Sequence, residues 1–181
     1  MKLEELRHNI SQEQKKGLPF IYASLVVWLL ITVVTSLDLP IYLENILVFS
    51  CSIPMLPISW FVGKKLAVNI FDKKNPLSEL GFLFTCNQLL YLLIVMWVFN
   101  ASPNKMVMVY AMVFGAHLLP YSWLYKSNAY KIMSIIITFV SLIVGSLLSA
   151  VFVASTMSVM ELLFLLLLHL ELKRVSKIED I

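Results

Sequence analysis

The sequence predicts an all-α polytopic membrane protein. It is a bundle of six transmembrane helices, with an N-terminal amphipathic helix and a cytoplasmic interfacial helix. Three observations predict it. The 181 residues are 60% hydrophobic and 14% charged, with a mean hydropathy of +0.86. Soluble domains are about 45–50% apolar and about 25% charged. The apolar residues run in long blocks rather than alternating with polar ones, and lysine and arginine collect in every second segment between blocks. An ordinary soluble globule and a disordered chain are both excluded. A crossing takes about 20 helical residues, so six or seven would fill the chain as a single domain.

Residues 1–17 read as an amphipathic helix, with Met1, Leu3, Leu6 and Ile10 near one face and Lys2, Glu4, Glu5, Arg7 and Glu13 elsewhere. Such a helix suits a membrane surface. No cleavable signal peptide is visible, because the apolar stretch that follows is too long for a signal core and lacks a small-residue cleavage site. Span 1 covers about 18–36 and ends at Asp38-Leu39-Pro40. Span 2 covers about 41–62 and contains Pro54 and Pro57. Residues 63–78 carry Lys64, Lys65, Lys73 and Lys74 with Leu66, Ile70 and Phe71 between them, the pattern of a helix lying on the inner leaflet and held by anionic lipid. Span 3 covers about 79–99, with Ser78 as its expected N-cap. Span 4 covers about 106–125, and spans 5 and 6 cover about 132–154 and 157–172, separated by Ala154-Ser155-Thr156.

Thirteen of the fourteen lysines and arginines lie in the amino terminus, the 63–78 segment, the 126–131 loop and the tail; Lys105 alone lies in the other loops. By the positive-inside rule both termini are cytoplasmic, and an even number of spans follows. Tyr121, Trp123, Tyr125 and Tyr130 beside Lys126, with Trp60 at the inner end of span 2, form an interfacial aromatic belt, or alternatively an aromatic ligand box. The expected location is the cell membrane.

Polar side chains at membrane depth are costly and normally face the bundle interior. Span 2 has Glu44 and Asn45 near its outer end, with Ser52 and Ser59 on the Asn45 stripe. Span 3 has Asn87, Gln88 and Tyr91, span 4 has His117, and span 6 has Glu161 near its outer end and His169 deeper. At 1.5 Å per residue, Asn87 and His117 both lie about 12 Å from the inner interface. One reading is a polar cavity lined by His117, Asn87, Gln88, Ser52, Tyr91 and His169, with Glu161, Glu44 and Asn45 toward its outer mouth. The other is interhelical hydrogen bonding that fixes packing. Pro54, Pro57 and Pro120 free the carbonyls of Ser50, Ile53 and Ala116, and such groups form binding sites in transporters or merely accompany kinks. In span 5, Ser141, Gly145 and Ser149 permit close approach of a helix, in the same chain or in a dimer.

Nothing points to an enzyme. There is no zinc-protease HExxH, no paired-aspartate motif, no nucleophile turn and no Gly-rich phosphate loop. Cys51 and Cys86 sit in apolar runs without metal or redox spacing. No catalytic residue, metal or cofactor is expected. The basic residues are loop anchors rather than a nucleic-acid face.

The stretches Lys15-Lys16-Gly17-Leu18-Pro19-Phe20 and Ala116-His117-Leu118-Leu119-Pro120-Tyr121-Ser122-Trp123-Leu124-Tyr125-Lys126 resemble an uncharacterised family of small bacterial six-helix membrane proteins, a domain of unknown function. The resemblance implies a bacterial cell-membrane protein and no reaction. In architecture alone the chain is also similar to the substrate-binding S-components of energy-coupling-factor transporters. Span 1 has Ala23 but not the Ala-xxx-Ala docking spacing usual there. The expectation is a bundle that binds or moves a small solute. The alternative is a non-transporting membrane factor that acts through protein partners at its cytoplasmic face.

Overall fold

The computed structural model describes residues 2–72 and 74–179, with side chains through Arg174. The described residues form helices and no strands: α1 (Leu3–Glu13), α2 (Leu18–Thr35), α3 (Ile41–Ser50), α4 (Met55–Lys65), α5 (Leu77–Ala101), α6 (Met106–His117), α7 (Leu119–Leu124), α8 (Asn128–Leu147) and α9 (Ala150–Glu179). Short 3₁₀ turns occupy Lys15–Gly17 and Pro103–Lys105. Six helical stretches are long and apolar enough to cross a membrane: Lys15–Thr35, Ile41–Lys65, Leu77–Ala101, Pro103–Leu124, Asn128–Leu147 and Ala150–Arg174. This is the architecture of a multi-pass membrane protein. Many large apolar side chains point away from the bundle, Phe82 at 71% and Phe139 at 61% exposure among them. A bilayer would cover such surface.

Helices α2, α6, α8 and α9 make the core. Trp28 of α2 is 1% exposed and packs its ring against Tyr110 and Phe114 of α6. Helices α6 and α8 cross closely where each has a glycine. A Cβ on Gly115 would lie 2.6 Å from Thr138 Oγ1, and one on Gly145 would lie 2.4 Å from Met108 Cγ. The small residues Ser141 and Gly145 therefore serve packing within the chain, while Ser149 is exposed at the next break. Helix α5 is peripheral: 11% of its apolar stretch is buried, against 50% for the span containing α2.

Pro54 and Pro120 break two spans, as their missing N–H groups require. Span 2 divides into α3 and α4 and span 4 into α6 and α7. The Ser50 carbonyl is not left open, since the Ile53 N–H donates to it at 3.1 Å.

Three boundaries differ from the sequence reading. The break between the last two spans falls at Leu148 and Ser149 rather than at 154–156. Leu148 is extended, and Lys105 Nζ donates to the carbonyls of Gly145 and Ser146, finishing α8 there. Ala154 is a fully buried position inside α9, so its small size reflects packing, not a turn. Second, residues 66–72 are not a helix. Ala67 turns left-handed at φ 54°, and the N–H groups of Ala67 and Val68 bond back to the carbonyls of Lys64 and Gly63, closing α4 in a Schellman-type end. The side chains of Asn69 and Asp72 then accept from the N–H groups of Phe71 and Lys74. Such local bonds compete with a helical ladder. Phe71 is 65% exposed and Lys64 and Lys65 belong to α4, while Lys73 lies outside the described residues. Third, α5 begins at Leu77, with its N–H bonded to Asn75 Oδ1, so Asn75 and not Ser78 serves its start.

Helix α1 exists where expected, but it is bonded to the end of the bundle rather than separate from it. Ile10 and Ser11 are buried, Ser11 Oγ donates to the Tyr125 carbonyl at 2.9 Å, and Asn75 Nδ2 donates to the Leu6 carbonyl at 2.8 Å. Met1 lies outside the described residues.

Candidate functional site

The relocated break changes the depth of Glu161. With α9 starting at Ala150, Glu161 lies 11 residues from one end of the 150–174 span and 13 from the other, about 16 Å along the helix from Ala150 by helical rise. It is a mid-span carboxyl and not a group at the outer mouth. Helix α2 runs antiparallel beside α9, and the two share a ladder of polar contacts. Thr32 Oγ1 and Ser158 Oγ are 3.1 Å apart. Ser24 Oγ is hydrogen-bonded to Glu161 Oε2. Tyr22 Oη donates to His169 Nε2 at 3.3 Å, since His169 Nδ1 lies 2.8 Å from the Leu165 carbonyl and must carry the ring proton that this carbonyl accepts. Lys16 Nζ pairs with Glu171 Oε2 at 2.8 Å.

Glu161 is the exceptional rung. It is 0% exposed, and its Oε1 has no hydrogen-bond partner among the described residues. Its bonded neighbour is a neutral hydroxyl, not a cation. Buried carboxyls are normally paired or fully hydrogen-bonded, because leaving them otherwise costs several kcal/mol.

At the end carrying the termini, Glu171 gathers Lys16, the Ser127 hydroxyl at 2.6 Å and the Ala129 N–H at 2.7 Å. The two stretches quoted above meet here. Lys15, Lys16 and Gly17 are all left-handed, with φ 45°, 51° and 68°. Tyr130 Oη donates to the Lys16 carbonyl at 2.9 Å and Tyr125 Oη to Gln14 Oε1 at 2.8 Å. A Cβ on Gly17 would come within 2.9 Å of Tyr130 Oη. Arg7 donates to the Trp123 carbonyl and lies 4.4 Å above the Trp123 ring. The tyrosines stack on one another and their hydroxyls bond to protein groups, so they clasp the chain rather than form an open box. Burial raises the Tyr125 phenol well above its ordinary value, which keeps it a donor.

The remaining sequence-predicted residues fall in separate places. His117 Nδ1 bonds to the Phe114 carbonyl, and its ring packs edge-on against Phe114 and Tyr121. Asn87 is exposed on α5, Gln88 is half-buried and Tyr91 is 37% exposed. None of these three is hydrogen-bonded to His117 among the described residues. A residue on an α-helix turns about 100° from its neighbour, so Gln88 shares the inward stripe of Gly81, Phe84 and Val95 and Asn87 falls off it. Ser52 bonds to Tyr110 Oη at 2.5 Å. Glu44 is half-buried. Asn45 is 0% exposed, with its Nδ2 donating to the Pro103 carbonyl at 3.0 Å and its Oδ1 without a partner among the described residues.

Two clefts lie away from these groups. One, of about 230 Å³, lies where α1 meets the 66–76 segment, bounded by Glu13, Gln14, Ala67, Asn69, Asp72 and Ser78. The other, of about 10 Å³, adjoins Gly17 and Pro19. Among the described residues no three His, Cys, Asp or Glu side chains gather as a metal site would need.

Ser24, Tyr22, Thr32, Ser158, Lys16 and Glu171 were not evident from the sequence as site residues. The signal was a polar stripe on the last span. Ser158, Glu161 and His169 recur at helical spacing, opposite the hydroxyls of the first.

The chain belongs to a family of unknown function, DUF7010, whose family model matches residues 3–171. No curated protein and no solved structure matches it.

Proposed function

We propose that this member of the family is a bacterial cell-membrane protein with both termini cytoplasmic, which binds or moves a small solute at the α2–α9 seam. The observation that carries the reading is Glu161, wholly buried at mid-span with one carboxyl oxygen unpartnered among the described residues. A core able to seal itself with leucine, isoleucine and valine gains nothing in packing from such a group, and ionisable residues at membrane depth mark solute and ion pathways. Support for the orientation comes from the thirteen of fourteen lysines and arginines that lie in one set of segments. Anionic lipid at that face would be attracted by about 1 kcal/mol per basic residue near the surface.

The test uses the protein in lipid nanodiscs and a panel of amino acids, alkylamines, carboxylates and sugars, with thermal unfolding as the readout. A solute present at 100 times its Kd adds about 2.7 kcal/mol to the folded state, so a ligand class raises Tm by several degrees. The rise should vanish in Glu161→Ala. A panel that leaves Tm unmoved, or a rise unchanged in that variant, would defeat the reading.

A second reading is favoured by the cleft bounded by Glu13, Asn69, Asp72 and Ser78. There the protein would act through a partner at its cytoplasmic face. Loss of a co-purifying partner on Asp72→Lys, with solutes inert, is the outcome that would select it.

A further inference from the structure

Ser24 Oγ lies 2.9 Å from the Ile21 carbonyl and is also bonded to Glu161 Oε2. A serine hydroxyl has one proton, and a backbone carbonyl can only accept. If Ser24 donates to Ile21, the proton between Ser24 and Glu161 must come from the carboxyl. Both contacts are then satisfied with Glu161 as a neutral acid donating from Oε2. Its Oε1 is left as a carbonyl-type acceptor without a donor among the described residues, a smaller penalty than an unpaired carboxylate.

We propose that Glu161 is a proton-binding site at mid-span, and that release of its proton opens the α2–α9 seam. The closed arrangement described above is the acid form. A carboxylate there has about four lone-pair sites to satisfy, and the closed seam offers one hydroxyl, which must abandon Ile21 to serve it. No cation from a neighbouring element bonds to Glu161 among the described residues. On the side of α2, Lys16 is engaged with Glu171 and Tyr22 with His169. On α8, Tyr130 packs on Phe164 and donates to the Lys16 carbonyl. On α6, Tyr110 bonds Ser52 and His117 bonds Phe114. The missing donors must therefore be water, which enters only if α2 and α9 separate. The proton released passes to that water, leaving the carboxylate hydrated in the opened seam. The ligand class is the proton itself, which needs no solute-sized cavity in the closed form. This rests on the reading of the seam as the solute-handling part.

Two measurements test it on the full chain in nanodiscs. The infrared spectrum at neutral pH should contain the C=O stretch of a buried protonated carboxylic acid that is lost in E161Q. E161D, which keeps the acid and displaces its band, makes the same assignment should E161Q fold poorly. An ionised Glu161 overturns the proposal. The second measurement places a thiol beside the rung by Ser158→Cys, in a background with Cys51→Ser and Cys86→Ser, and follows its rate of alkylation by N-ethylmaleimide. E161Q keeps the donor to Ser24 and cannot ionise, so it holds the seam closed. The ratio of the rate with Glu161 to the rate in E161Q should climb about tenfold per pH unit until Glu161 has titrated, one proton being linked to opening. A ratio constant between about pH 5 and about pH 9 overturns the coupling. A flat ratio with solute-induced stabilisation intact would remove the proton and leave the solute site, so the two failures are distinct.

Discussion

Replacing Glu171 with alanine tests whether the terminal end of the bundle is closed by one carboxylate. Glu171 bonds Lys16 of the turn before α2, Ser127 of the loop before α8 and the Ala129 N–H of α8. The Lys16 side chain is 5% exposed and that of Glu171 is 21% exposed. Removing one partner of a buried pair costs about 3–5 kcal/mol, because the other charge is left buried alone. Since Glu171 keeps some contact with its surroundings, we expect about 3 kcal/mol for Glu171→Ala. Lys16→Met should cost less, because Glu171 retains two donors. Glu171→Gln keeps one oxygen to accept from the Ala129 N–H and an amide N–H that can donate to the Ser127 hydroxyl, but it leaves Lys16 without its countercharge, so it should cost about 2 kcal/mol, between the loss of a neutral bond and the alanine variant. The double variant Lys16→Met/Glu171→Ala should recover part of the loss, giving a coupling of about 2 kcal/mol. Equilibrium unfolding in mixed micelles titrated with a denaturing detergent measures all four. If the single losses add to within about 0.5 kcal/mol, the ion pair is not what joins these elements and the reasoning fails.

Three other outcomes follow from the same geometry. Gly115→Ala should destabilise by about 1–3 kcal/mol, because its Cβ would meet the Thr138 backbone, which cannot yield; Gly145→Ala should cost less, since it meets the flexible Met108 side chain, and parallel unfolding titrations decide the order. Ala67→Gly should stabilise the end of α4 by about 0.5 kcal/mol by relieving a left-handed alanine, read as a higher unfolding midpoint. The bond to Lys126, and then that to Arg7, hold the Glu4 carboxyl below its ordinary value of 4.5. A lowered carboxyl stabilises above the unfolded value and loses that contribution as pH falls through the folded one. Amide protection in α1, corrected for the intrinsic pH dependence of exchange, should therefore fall on acidification below 4.5, and this acid step should be absent in Glu4→Gln.

Span number was legible because it depends on hydropathy summed over about 20 residues, where no single side chain decides. The positions of breaks were legible only where one residue forces them. Pro54 and Pro120 were visible because proline removes a donor whatever surrounds it. The break at Leu148 was not, because its cause is Lys105 reaching across from another loop to the α8 carbonyls, a contact no local pattern encodes. Ala154-Ser155-Thr156 misled for the complementary reason: small residues suit a turn and a tight helix contact equally. The 63–78 segment failed on a competition between its apolar spacing and its side-chain acceptors. Asn69 and Asp72 are ordinary polar residues on a helix wheel, yet each can close its own turn.

The same distinction explains the site. Glu161 and His169 stood out in the sequence because charge and imidazole are rare at membrane depth. Their partners did not, because Ser24, Tyr22 and Thr32 are common in membrane helices and acquire meaning only when α2 lies antiparallel to α9. A seven-residue error in where α9 starts was enough to move Glu161 from mid-span to an apparent outer mouth, about 10 Å at helical rise. Depth decides the physics here. Near a headgroup a glutamate finds water and calls for no account, whereas at mid-span its one neutral donor is insufficient for a carboxylate. The buried acid, and the need for the seam to part before it can ionise, therefore follow from the position of a loop that the sequence pattern alone placed too late.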